Sequence, residues 1–205
     1  MKKKVIIALV ALLPLNMLAQ DNTWERPEVE EVPVQEKEDP NAKYLKGAVT
    51  EEDGRVVFTT TIEAPGKSAA DIYAIAKQYL QKMISEKNQI QSRLITEDTE
   101  KNLVAAAFEE WLVFKSTSLA LDRTRLYYGL QAQCKDGKLT LKMGRIRYLY
   151  EEERKPQHLS AEEWITDKVA LNKKGTKVLP VSGKFRRKTI DRKDFIFNKF
   201  KSLLQ

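Results

Sequence analysis

Residues 123–150 constrain the fold most tightly, because two alternating runs flank a two-residue loop. Thr124, Leu126, Tyr128, Leu130, Ala132 and Cys134 alternate with Arg123, Arg125, Tyr127, Gly129, Gln131 and Gln133, a period of two that buries one face of a strand. Asp136-Gly137 supplies central turn residues that tolerate positive φ, so the chain must double back as a hairpin. With Lys135 opposite Lys138, Cys134 faces Leu139, Ala132 faces Leu141 and Leu130 faces Met143. Beyond Gly144 the apolar phase slips by one residue, so that Ile146, Tyr148 and Tyr150 meet Tyr128, Leu126 and Thr124. A one-residue slip at a glycine predicts a β-bulge.

The same register writes the opposite face. Arg123, Arg125, Tyr127, Gln131 and Gln133 lie beside Thr140, Lys142, Arg145, Arg147 and Leu149. Tyr127 is expected between Arg125 and Arg147, an arrangement that can grip an anion or stack on a sugar ring. The competing reading is an ordinary solvated face of an antiparallel sheet.

Other elements are expected around this hairpin. Arg55–Glu63 is β-branched and alternating, with Val56, Phe58, Thr60 and Ile62 on one side. Ser68, with Asp71 in the first turn, opens a helix to about Glu86 whose stripe is Ile72, Ile75, Ala76, Tyr79, Leu80 and Met83. Residues 92–115 fit either a helical stripe or two strands broken at Asp98–Asn102, with Glu110 a misfit in the alternation that an end-of-strand bulge would explain. Ser160 and Glu163 form a capping box before Trp164. Residues 172–183 read as an irregular connection, and Thr189 as the cap of a final helix with Ile190, Phe197, Phe200 and Leu204 along one stripe. The basic run Lys184, Arg186, Arg187 and Lys188 precedes it.

The N-terminus sets the expected address. Lys2–Lys4, an apolar run from Val5 to Leu15 and Met17-Leu18-Ala19 have the layout of an export signal cleaved after Ala19. The apolar run is too short for a membrane-crossing helix, and no cysteine follows it to accept a lipid. The expected location is therefore the periplasm or the exterior, not a lipoprotein. Residues 20–43, acidic with three prolines, read as a disordered arm. Residues 44–150 read as the folded domain and 151–205 as a basic extension with two helices. Charge is polarised: residues 20–134 hold 14 basic and 20 acidic groups, residues 135–205 hold 19 and 9. A basic half suggests phosphate contact, but export argues against nucleic acid and favours an anionic glycan, a lipid headgroup or an envelope protein.

Four runs, Lys43–Phe58, Glu109–Lys115, Ala161–Lys168 and Gly183–Asp194, resemble exported bacterial proteins of domain-of-unknown-function family 4468. The resemblance covers the chain from about Tyr44 onward. It implies an α+β, TBP-like fold: a curved antiparallel sheet, here of about five strands, with helices on one face and a basic C-terminal helical extension. It also turns the stretch near Val104 toward strand. It carries over neither DNA binding nor any site residue, since a fold does not specify a function.

Chemical motifs are sparse. His158 is the single histidine and Cys134 the single cysteine, so neither a His/Cys zinc site nor a disulfide is expected, and no cofactor or metal is called for. Glu51–Asp53, Glu109-Glu110 and Glu151–Glu153 read as solvated charge, with Glu110 alone a candidate acid for a hydrolase. The expectation is a non-catalytic envelope binding module using Arg123, Arg125, Tyr127, Lys142, Arg145 and Arg147 on the sheet, or Arg186, Arg187 and Lys188 in the tail. The alternatives are an assembly component that engages another envelope protein, and an undescribed hydrolase.

Overall fold

The computed structural model describes residues 39–117 and 120–205, so the export signal and most of the acidic arm lie outside the described residues. Two short strands, β1 (Glu51–Glu52) and β2 (Arg55–Val56), form a hairpin through Asp53 and Gly54, both in the left-handed region. The expected single strand from Arg55 thus breaks at Val57, and β3 (Phe58–Glu63) enters the main sheet. Helix α1 (Ala69–Ile84) follows, with Ser68 and Asp71 closing a reciprocal capping box. Then come β4 (Arg93–Asp98), β5 (Leu103–Ser116), β6 (Leu121–Lys135) and β7 (Lys138–Tyr150), all antiparallel. The ambiguous stretch is therefore a hairpin, as the family resemblance implied.

The 6-stranded sheet runs β3-β7-β6-β5-β4, and β8 (Gln157–Ser160) pairs with β7 beyond β3. The sixth strand comes from the segment expected to be an extension. Register in the β6–β7 hairpin is the derived one, with Leu130 opposite Met143, Gly129 opposite Gly144 and Tyr127 opposite Arg147. The bulge falls at Arg145, whose φ of 55° turns the strand so that Ile146 and Tyr148 stay inward.

Glu110 departs from expectation. No bulge relieves it; the bulge in β5 lies between Val113 and Lys115. Glu110 points inward, 1% exposed, and the Arg192 guanidinium clamps both carboxylate oxygens at 2.7 Å. Gln89 donates a further hydrogen bond at 2.5 Å.

After α2 (Ala161–Trp164), capped by Ser160, and α3 (Asp167–Ala170), the last helix α4 spans Pro180–Leu204. The C-terminal segment therefore holds three helices, and α4 starts nine residues before Thr189. Pro180 occupies its first turn, where no backbone N–H is needed. Thr189 is mid-helix and buried, its hydroxyl 2.7 Å from that of Tyr148. Phe185, Ile190, Ile196, Phe200 and Leu204 join Ile72, Tyr79, Leu80 and the inward sheet residues in one core. Both α1 and α4 lie on the inward face, so the segment expected as an appendage completes the domain. Among the described residues, no helix packs across the other face of the sheet.

Candidate functional site

Antiparallel register places side chains of the helix-free face in rungs across β5, β6 and β7. One rung is Glu109–Tyr127–Arg147, the next Ala107–Gly129–Gly144, and the third Ala105–Gln131–Lys142. The middle rung is nearly bare: a methyl group and two glycines. A trough of about 850 Å³ lies there, its floor including Ala105, Gly129 and Gly144 and the backbone of Leu130. That volume lies within the range of small-molecule sites. Ile95 and Thr96 of β4 line one end; Arg55, Arg145, Arg147 and Glu162 line the other.

The two glycines are not explained by the fold. Neither has positive φ, and a Cβ on Gly129 would find only the Gly144 carbonyl oxygen, at 3.8 Å. One on Gly144 would meet Val57 at an ordinary 3.5 Å. Glycine inside a strand weakens it and marks a place where something approaches the backbone. Here two sit opposite each other in the β6–β7 hairpin.

Charge on this face is partitioned. Arg125 is held by Glu109, with Nη1 to Oε1 at 2.8 Å, and by Glu152, with Nε to Oε2 at 2.6 Å. Glu152 first, then Glu109, stabilise its protonated form further. Tyr127 donates to the same Glu109 oxygen at 3.0 Å, and burial followed by this carboxylate raises its hydroxyl pKa. Lys142 pairs with Glu52 at 2.7 Å and thereby lowers that carboxyl's pKa. Arg123 lies over the Trp111 ring, 3.6 Å from its centroid. Arg147 lies over Tyr127 at 5.0 Å, so the expected Tyr127–Arg147 contact is present, while Arg125 turns to the carboxylates. Among the described residues, Arg55, Arg145 and Arg147 have no ion-pair partner; all three are exposed at the trough's end. Glu162, beside them, accepts from the Val56 N–H at 2.9 Å.

The tail residues do not join this face. Arg186 is fully buried, and its guanidinium donates to the carbonyls of Tyr44, Leu45 and Ile165 and to Asp167 at 2.6–2.7 Å. Fully buried and with four of its five N–H donors taken, it is out of reach of a ligand, which corrects its expected role: it ties the residues before β1 to α4. Arg187 lies 5.9 Å from the Tyr44 ring and Lys188 is exposed, both on the helix-bearing side. Sheet face and tail are two separate surfaces.

Groups that could do covalent chemistry are occupied or shielded. Burial pushes the Cys134 thiol up to about 11, leaving it neutral at physiological pH. The Glu110 carboxylate is saturated by Arg192 and Gln89. His158 sits exposed on β8 opposite Leu149. Gly129, Gly144 and Arg55 were not among the sequence candidates; the derived register already set the glycines opposite one another, and that was the available signal.

A family model described as domain of unknown function (DUF4468) with TBP-like fold matches residues 58–149. A solved DUF4468 family protein from Bacteroides ovatus ATCC 8483 is similar at 39% identity and a TM-score of 0.75, over 81% of this chain and 95% of that one. A TBP-like protein from Parabacteroides distasonis ATCC 8503 shares the fold at 18% identity and a TM-score of 0.61, over 77% and 97% of the two chains. No curated protein matches. The sheet, the helices on one face and the extended match together establish that the chain belongs to the DUF4468 family, with a TBP-like α+β fold.

Proposed function

We propose that the chain is a non-catalytic binding module of the cell envelope, exported by its first 19 residues, that takes an anionic ligand into the trough on the helix-free face. The observation that carries this reading is the pairing of Gly129 with Gly144. Two glycines that neither φ nor crowding requires hold open a floor in the middle of the β6–β7 hairpin. Arg55, Arg145 and Arg147 at one end supply charge that forms no ion pair among the described residues, whereas Arg125 and Lys142 are spent on neighbours. An anion entering there gains charge-assisted hydrogen bonds without breaking an existing ion pair.

The test is binding of residues 20–205 to a sulfated oligosaccharide, to anionic vesicles and to alkyl carboxylates at low and moderate salt. The wild type is compared with Arg145→Glu/Arg147→Glu and with Gly129→Val, which fills the floor. Salt-sensitive binding lost in both variants supports the trough. Binding retained by both places the site elsewhere, with Arg187 and Lys188 the next residues to change.

A further inference from the structure

The trough is chemically asymmetric along its length. Its β7 end carries Arg55, Arg145 and Arg147; its β4 end carries Ile95, 50% exposed on a bulged edge strand. Between them lie Ala105 and the two glycines, which offer a flat floor of methyl and peptide surface. From β7 across β6 and β5 to β4 is three strand spacings, about 14 Å.

We propose that the ligand is a detached single-chain amphiphilic anion, its carboxylate at Arg145 and Arg147 and its apolar chain laid across the glycine rung toward Ile95. The inference rests on the trough being the binding site, and deepens it by naming the ligand class. Charge complementarity places the head, since Arg145 and Arg147 are exposed, line the trough and have no carboxylate partner among the described residues. The bare rung places the chain: Ala105, Gly129 and Gly144 present methyl and peptide surface along its path, while the polar Gln131 and Lys142 line the trough beside it and Lys142 is already paired with Glu52. Ile95 is otherwise a large apolar side chain left in water on a sheet edge, where charge is the usual protection. A recess suits a molecule withdrawn from a bilayer, whereas an intact bilayer requires a protruding surface.

The experiment is calorimetric titration of residues 20–205 with alkyl carboxylates from hexanoate to dodecanoate below their micelle-forming concentrations, with the alcohols of equal length as controls. Affinity is expected to rise about two- to four-fold per methylene, and the alcohols to bind at least about ten-fold more weakly, the factor of one charge-assisted hydrogen bond. Arg145→Glu/Arg147→Glu should lower the whole series, Ile95→Asp should flatten its rise with chain length, and Gly129→Val should abolish it. Anion binding that ignores chain length yet disappears in Gly129→Val would keep the trough as a site and overturn the amphiphile. Binding to anionic vesicles alone would overturn it too, and carboxylate binding that survives Gly129→Val, or no binding of any anion, would remove both readings.

Discussion

Replacing Glu110 by Ala would strip the Arg192 guanidinium of two short charge-assisted bonds and leave it Glu86, at 3.3 Å, as a carboxylate partner. Removing one member of such a buried pair costs about 3–5 kcal/mol. Urea unfolding should show that loss, and Glu110→Leu/Arg192→Met should recover most of it, because both charges then leave together. Gly129 behaves in the opposite sense. Its Cβ space is open and its φ ordinary, so Gly129→Ala is expected to stabilise by roughly 0.5–1 kcal/mol, seen as a melting temperature raised by about 2 °C. Cys134 supplies a pH test. Its folded thiol titrates at about 11 against 9.0 for a free one, so folding favours the neutral form. The associated stability is fully present below pH 9 and declines as pH climbs toward 11; a thiol reagent at pH 8 should label the protein only after denaturation. At this scale a bulge was expected to relieve Glu110 from the alternation that points it inward; the structure keeps it inward because its partner lies 82 residues away on another element, which no local pattern reveals.

Among the elements, the β6–β7 hairpin was readable in full, down to its bulge, because register is a local consequence of turn and period. Arg145 is the residue that the bulge adds, so deleting it would set Ile146 opposite Tyr128 in unbroken alternation, and the variant should still give a dispersed NMR spectrum, with shifts confined to the strands around Gly144. Helix α4 was misread at its start. Pro180, Ser182 and Gly183 carry the chemistry of a loop, yet Pro180 sits where a first turn accepts it, and Gly183 is required by packing rather than flexibility. A Cβ there would lie 2.3 Å from a Val178 methyl carbon. Gly183→Ala is therefore expected to destabilise by about 1–3 kcal/mol, with Val178→Ala restoring much of the loss in the same denaturation assay. The run from Lys184 to Lys188 misled for a related reason: consecutive residues on a helix point to different sides, and Phe185 and Arg186 face the core while Lys188 faces water. Counting basic residues along the sheet likewise overstated the free charge, since Glu52, Glu109 and Glu152 reach Lys142 and Arg125 from other strands and loops.

For the molecule as a whole, the last helix is part of the first core. The ladders of the 6-stranded sheet are formed by residues 58–160, but α1 covers only part of the inward face, and the rest stays open until Phe185, Ile196 and Phe200 cover it. A chain ending at residue 179 would expose that face and is expected to aggregate, or to bind an apolar dye while keeping strand signal in far-ultraviolet dichroism. The Arg186 clasp on the carbonyls of Tyr44 and Leu45 adds a second tie between residues far apart in the chain. Such a layout has a temporal side. During synthesis, residues emerge in order, and a domain whose final helix closes its interior has no finished folding unit to settle into until that helix has been made. The nascent polypeptide therefore stays open throughout its elongation, and it closes in one late event once α4 arrives.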